Sequence, residues 1–216
     1  MTILQQNLHQ IKEKLPEDVT LVAVSKTKPN SAIQEAYDYG QRVFGENKIQ
    51  EMVSKWEQLP DDIRWHMIGH VQTNKVKYMA PFVSLIHAVD SHKLLKEINK
   101  QAKANDRTIS CLIQVKIAKE DSKFGVDPAE IENFLAEAHV KQWPNVRVEG
   151  LMGMATFTDN EQQVREEFAV LQRIYTQYKS VYNFSILSMG MSGDYQWALD
   201  YGSTMVRIGS SIFGSR

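Results

Sequence analysis

Lys26 ends the apolar run Leu21-Val22-Ala23-Val24 and is followed within a few residues by a Pro29-Asn30 break. A run this short and continuous reads as a strand buried on both faces, as in parallel sheets. Where strands alternate with helices, ligands bind at the C-terminal rim of the strands. A lysine whose stem leaves a buried strand there is partly desolvated, which lowers its pKa and frees the amine to attack a carbonyl. On this stretch alone, a surface lysine at a strand end is the simpler account.

Two later turns have the composition of an anion cradle: Ser188-Met189-Gly190-Met191-Ser192-Gly193 and Arg207-Ile208-Gly209-Ser210-Ser211. Glycine lets backbone N–H groups approach an anion, and Ser192 stands where a helix opens with its positive dipole end. Either turn alone is equally well read as a plain Gly/Ser turn. Arg207 brings a fixed cation to the same place. Beside a cofactor ring nitrogen it would keep that nitrogen unprotonated; pairing with a barrel carboxylate explains it as well. His66 and His70 have i, i+4 spacing, but they flank a strand end and Gly69 and should not share a face. With no third ligand in reach, no metal site is expected. Lys123 reads as a solvated charge on a polar loop, and Cys111 as core filling inside an apolar run.

The elements that would position these groups follow from periodicity. Helical spacing of Ile3, Leu4, Leu8, Ile11 and Leu15 predicts an N-terminal helix over Thr2 to Leu15. Strands are predicted at Leu21–Ser25, Arg42–Phe44, Trp65–Ile68, Phe82–Ala88, Thr108–Val115, Val146–Met152, Phe184–Ser188 and Thr204–Ile208. A helical pattern is read after each of the eight. Asn47 with Gln50 and Thr158 with Glu161 have N-capping spacing, and Asp127-Pro128 reads as a helix start. Strict alternation implies parallel strands with helices outside. Eight such units in 216 residues imply an α/β fold, a single (β/α)8 TIM-type barrel with an extra N-terminal helix, forming one domain over 1–216. A doubly wound sheet is the alternative, but Ser25-Lys26-Thr27 stands where its Gly-rich fingerprint would be.

Composition limits the partners. A formal net charge of −1 gives no electrostatic footprint for nucleic acid or an anionic membrane, so neither is expected. The start has no signal-peptide pattern and no stretch has membrane-spanning length, so a cytoplasmic protein is expected.

Ordered blocks run through the chain: Ala23-Val24-Ser25-Lys26-Thr27, Phe44-Gly45-Glu46-Asn47, Trp65-His66-Met67-Ile68-Gly69 with Gln72, Asn74 and Lys75, and Ser122-Lys123-Phe124-Gly125. Gly150-Leu151-Met152, Ser188 to Ser192, and Gly202 to Gly209 with Ile212-Phe213-Gly214 complete them. From Leu21 to Gly214 the chain resembles the pyridoxal phosphate homeostasis proteins. That resemblance implies a barrel like the N-terminal domain of alanine racemase, holding pyridoxal 5′-phosphate (PLP) as a Schiff base on Lys26. It implies that Arg207 faces the pyridine nitrogen, that Ser192, Gly209 and Ser210 hold the phosphate, and that Asn47, His66 and Met67 line the ring. Lys116 and Gly153 depart from the family pattern, in which asparagine and threonine are usual.

The resemblance also implies a monomeric regulator or carrier of PLP, with apo PLP enzymes as acceptors. Racemisation needs acid–base groups on both faces of the adduct. Related racemases take the second from a further β domain, and this chain ends at Arg216, so no catalytic residue is expected. A single-domain amino-acid racemase is the alternative, and a phosphate-sugar barrel enzyme without PLP is a third.

Overall fold

The computed structural model describes residues 1–119, 124–140 and 143–214. Lys123 and Ser122, part of one sequence block, lie outside them. The strands are β1 (Thr20–Val24), β2 (Val43–Glu46), β3 (Arg64–Met67), β4 (Leu85–Val89), β5 (Ile109–Gln114), β6 (Val146–Met152), β7 (Ile186–Met191) and β8 (Met205–Ile208). They close in sequence order into one parallel barrel, with β8 returning to β1. The helices are α1 (Ile3–Lys14), α2 (Asn30–Asp38), α3 (Ile49–Trp56), α4 (Val76–Met79), α5 (His92–Ala104), α6 (Ile131–Val140), α7 (Glu161–Tyr182), α8 (Tyr195–Asp200) and α9 (Ser210–Phe213). The expected α/β barrel and its added N-terminal helix are therefore present.

Strand alternation divides the core in two. Outward residues such as Leu21, Ala23, Phe44, Trp65 and Met67 pack with the helices in the larger cluster. Inward residues Val22, Val43, Leu85, Leu112, Met152 and Met205 plug the barrel. Toward the C-terminal ends of the strands that plug gives way to buried polar side chains, His66, His87, Gln114, Ser188 and Arg207. The floor of the barrel is oily and its upper part is polar.

Several predicted boundaries shift for local reasons. Asn47 does not cap α3; Lys48 takes that place without a side-chain cap. α7 is capped by Asn160, whose side chain accepts from Gln163 N–H, while the Thr158 hydroxyl accepts from Asn160 N–H one step earlier. Asp127 accepts from Ala129 N–H in a turn, so α6 begins only at Ile131. The helix expected directly after Ser192-Gly193 begins at Tyr195. β7 runs on to Met191, which places Ser188 inside a strand and not at its end. Competing short-range side-chain acceptors decide such ends, and sequence spacing alone cannot rank them.

Gly150 marks the tightest strand approach. A Cβ there would sit 1.8 Å from the Ile186 carbonyl oxygen, across the β6–β7 pair that aligns Gly150 with Ile186. Gly150→Ala should therefore lower unfolding free energy by about 3 kcal/mol or more, at the upper end of overpacking costs. Urea denaturation checks this; an unchanged midpoint would refute it.

Candidate functional site

A cavity of about 870 Å³ opens at the C-terminal rim of the strands. Lys26, Asn47, Ser192, Arg207, Gly209 and Ser210 all line it. A groove of about 520 Å³ lies at the opposite rim between α6, β6 and α7, away from these residues.

Lys26 is half-buried in the turn that follows β1, where Lys28 N–H donates to the Ser25 carbonyl at 3.0 Å. The two anion-type turns meet: Gly209 N–H donates to Ser192 Oγ at 3.2 Å. Ser192 accepts there and keeps its own O–H to give to a ligand. Gly209 packs on β1, for a Cβ would stand 3.2 Å from both Val24 Cβ and the Val24 carbonyl oxygen. Ser210 and Ser211 open α9, and helix geometry gives their N–H groups no intrahelical acceptor.

Arg207 is 3% exposed. Its Nη1 donates to Ser188 Oγ at 2.6 Å and its Nη2 to the Gly153 carbonyl at 3.0 Å. Burial pushes its pKa down to about 10, with Asp194 acting the other way, so it stays charged at neutral pH. Ser188 Oγ lies 3.2 Å from His87 Nδ1, and His87 Nε2 lies 3.1 Å from His66 Nδ1. Arginine can only donate, so Ser188 accepts from Arg207. The two contacts that follow, Ser188–His87 and His87–His66, take their direction from whichever ring nitrogens carry the protons, and His66 Nε2 at the end of the row has no hydrogen-bond partner among the described residues. Burial pushes His66 down to about 3 and His87 well below the usual imidazole range, so both rings are neutral.

Two expectations for the ring wall need correcting. His66 does not line the cavity but lies beneath it, bonded to His87, and Met67 faces outward into the helix layer. Consecutive strand residues point to opposite faces, so His66 and Met67 could not both line a ring. The residue that reaches the mouth here is Ile68, just past the end of β3 and two positions beyond His66. Gly153 also acquires a reason. Its carbonyl holds Arg207, and a Cβ there would meet Ile117 Cδ1 and Leu171 Cδ2 at 2.8 Å, so a larger residue would require those two side-chain ends to shift.

Other groups carry no motif signal. Gln114 lines the cavity and its Nε2 donates to the Phe124 carbonyl at 2.7 Å. Glu167 of α7 accepts from Thr156 N–H and Oγ1 and from Lys119 N–H, tying the loops after β5 and β6 to the rim. Behind the Lys26 turn, Glu46, Glu51 and Lys55 converge; the only hint in sequence is the i, i+4 spacing of Glu51 and Lys55. His70, exposed, stacks on Phe124 at 4.1 Å and does not join His66.

Residues 2–216 match the family model described as alanine racemase, N-terminal domain. A pyridoxal phosphate homeostasis protein of Vibrio alginolyticus is 42% identical, with 100% of this chain and 99% of that one covered. One from Aquifex aeolicus is 41% identical over 91% of this chain and 86% of the relative. The chain belongs to the pyridoxal phosphate homeostasis family of alanine-racemase-type barrels. Among solved structures, PipY of Synechococcus elongatus with PLP bound superposes on this family member with a TM-score of 0.89 at 33% identity, covering 98% of this chain and 100% of PipY. An alanine racemase of Clostridium difficile shares the fold, with a TM-score of 0.80 at 14% identity over 99% of this chain and 56% of the racemase.

The neutral histidines make stability depend on pH. Unfolded histidine takes its proton near pH 6.5, while folded His66 resists to about 3. Between those values the unfolded chain binds more protons, so stability is complete above the window and falls as pH drops through it. Each buried histidine should contribute a slope of about 1.4 kcal/mol per pH unit. Thermal unfolding followed from about pH 8 to about pH 5 should show this decline. His66→Gln should flatten it; an equal slope in that variant would refute the assignment.

Proposed function

We propose that this protein binds PLP in the mouth of its barrel and keeps the cofactor available while containing its reactive aldehyde, a homeostatic and not a catalytic role. The observation that carries this is the meeting of three chemistries at one cavity: the Lys26 amine, the Arg207 cation and the joined Ser192–Gly209–Ser210 turns. The relatives named for PLP homeostasis and the PLP-bound PipY support the same reading.

The residues present fit such a cofactor. Lys26 would hold its aldehyde carbon as a Schiff base, and the Ser192 hydroxyl with Gly209 and Ser210 would receive the phosphate. Arg207 can only donate, so a pyridine nitrogen facing it is left without a proton. When bound, PLP supplies an electron sink; that sink is weak when the ring nitrogen is unprotonated. This electrostatic choice supports binding over turnover. Asn47 and Ile68 would bound the ring, with His66 and His87 acting from below through Ser188. In this proposal the chain over 1–216 works as one cytoplasmic, monomeric barrel that passes PLP to apo enzymes. Among the described residues no helix is long and apolar enough to cross a membrane.

Purified protein mixed with PLP should turn yellow, and borohydride should fix the adduct on Lys26, as peptide mapping would show. Lys26→Ala should abolish the reducible adduct and weaken retention of PLP by about 10- to 100-fold, equivalent to about 1.4–2.8 kcal/mol. An adduct on a different lysine, or none in the wild type, would overturn the assignment. Exchange of the alanine α-proton in deuterated water should stay at the Lys26→Ala background; clear turnover would replace the homeostatic role with a racemase.

A further inference from the structure

Lys26 sits in a turn whose next residue is strained. Thr27 has φ +64°, one of three non-glycine residues with positive φ among the described residues. This third position of a turn, when φ is positive, normally belongs to glycine or asparagine. A β-branched residue there is an outlier, because its branched Cβ crowds the backbone. Such strain persists only where the surroundings over-determine it, and it gathers at functional sites.

The surroundings here are side chains of α3. Glu51 Oε1 accepts from Thr27 N–H at 2.5 Å. Lys55 Nζ donates to the Ser25 carbonyl at 2.8 Å, and that carbonyl also receives Lys28 N–H. Lys55 is joined to Glu51 at 2.7 Å and to Glu46 at 2.8 Å, and Glu46 accepts from the Ser25 hydroxyl at 2.6 Å. The backbone is thus gripped on each side of Lys26, at Ser25 and at Thr27, by one connected set of charges. These groups lie on the outer side of the β1 and β2 ends, while Lys26 lines the cavity within.

Stability alone is a poor account of this arrangement. Lys55 and Glu46 are almost wholly buried, with 6% and 0% of their side chains exposed, and Glu46 Oε2 has no hydrogen-bond partner. Apolar replacements for buried ion groups are often neutral or stabilising. Holding a strained turn in one geometry is a task that apolar side chains cannot perform, since they offer neither a donor for Ser25 nor an acceptor for Thr27.

We infer that Glu51 and Lys55 are positioning residues for Lys26, fixing the strained turn that aims its amine at the carbonyl of a bound ligand. This rests on Lys26 being the residue that bonds PLP. Bonding joins Nζ to the aldehyde carbon and releases the aldehyde oxygen as water, with no oxidation or reduction. The rate depends on the approach geometry of the amine, whereas phosphate binding rests on the neighbouring Ser192–Gly209–Ser210 turns, to which neither Glu51 nor Lys55 donates or accepts a hydrogen bond among the described residues.

The test separates the two. Pyridoxine 5′-phosphate carries the same ring and phosphate but an alcohol in place of the aldehyde, so it reports binding without bonding. Glu51 is partly exposed, with 25% of its side chain in solvent, so Glu51→Ala removes the Thr27 acceptor while leaving the Glu46–Lys55 pair intact. Glu51→Ala should slow formation of the Lys26 adduct at least tenfold, with pyridoxine phosphate affinity within twofold of wild type. Glu51→Gln retains a carbonyl acceptor and should restore most of the rate. The neutral double variant Glu46→Gln/Lys55→Met, which avoids a lone buried charge, should show the same split by releasing Ser25. An adduct rate in Glu51→Ala within twofold of wild type would overturn the inference. So would a parallel loss of pyridoxine phosphate binding, which marks a merely structural role. If wild-type protein forms no adduct on Lys26, it is the functional reading that fails.

Discussion

A full positive charge inside a closed barrel is expensive to keep, and much of the polar order of this interior follows from satisfying Arg207. The guanidinium needs acceptors; Gly153 supplies a carbonyl and Ser188 a hydroxyl oxygen. That serine in turn meets His87, and His87 meets His66, so a row of polar contacts runs inward from the cation. Both imidazoles remain neutral because a further charge in that space would be both buried and repelled.

The barrel makes this possible through division of labour between its two faces. Inward residues such as Val22, Val43, Leu85 and Met205 form the apolar plug on which the polar row rests. Outward residues bind the helices, and the second charged group, Glu46 with Lys55 and Glu51, lies on that outer side. Arg207 belongs to the cavity, whereas the α3 charges reach it only through the backbone on either side of Lys26. Loops that would otherwise wander are anchored by buried side chains, most clearly where Glu167 collects N–H groups from Thr156 and Lys119. Burial opposes ionisation of that carboxyl, but the donors around it prevail and hold it below the usual range.

Much of this was legible in the chain. Short apolar runs alternating with helical patterns announced a parallel sheet wrapped by helices, and their number announced closure. Lys26 at the end of β1, Arg207 on β8 and the Gly/Ser turns could each be picked out by residue type and position along a strand. What residue type could not supply was direction: Met67 was grouped with His66 although alternation sends them to opposite faces. Spacing also cannot rank two candidate acceptors as close together as Thr158 and Asn160, of which Asn160 caps α7.

The sequence by itself determined the period of every element, and hence the barrel and the rim at which chemistry had to lie, because hydrophobic periodicity is a local property of the chain. It could not reveal that Ser188 and His87, about a hundred residues apart, meet beneath Arg207, or that Thr27 is held in a conformation its side chain disfavours. Those are consequences of closure. Only when β8 returns to β1 do strand ends distant in sequence share one interior, and only there does burial fix the charge and backbone geometry of the residues that meet.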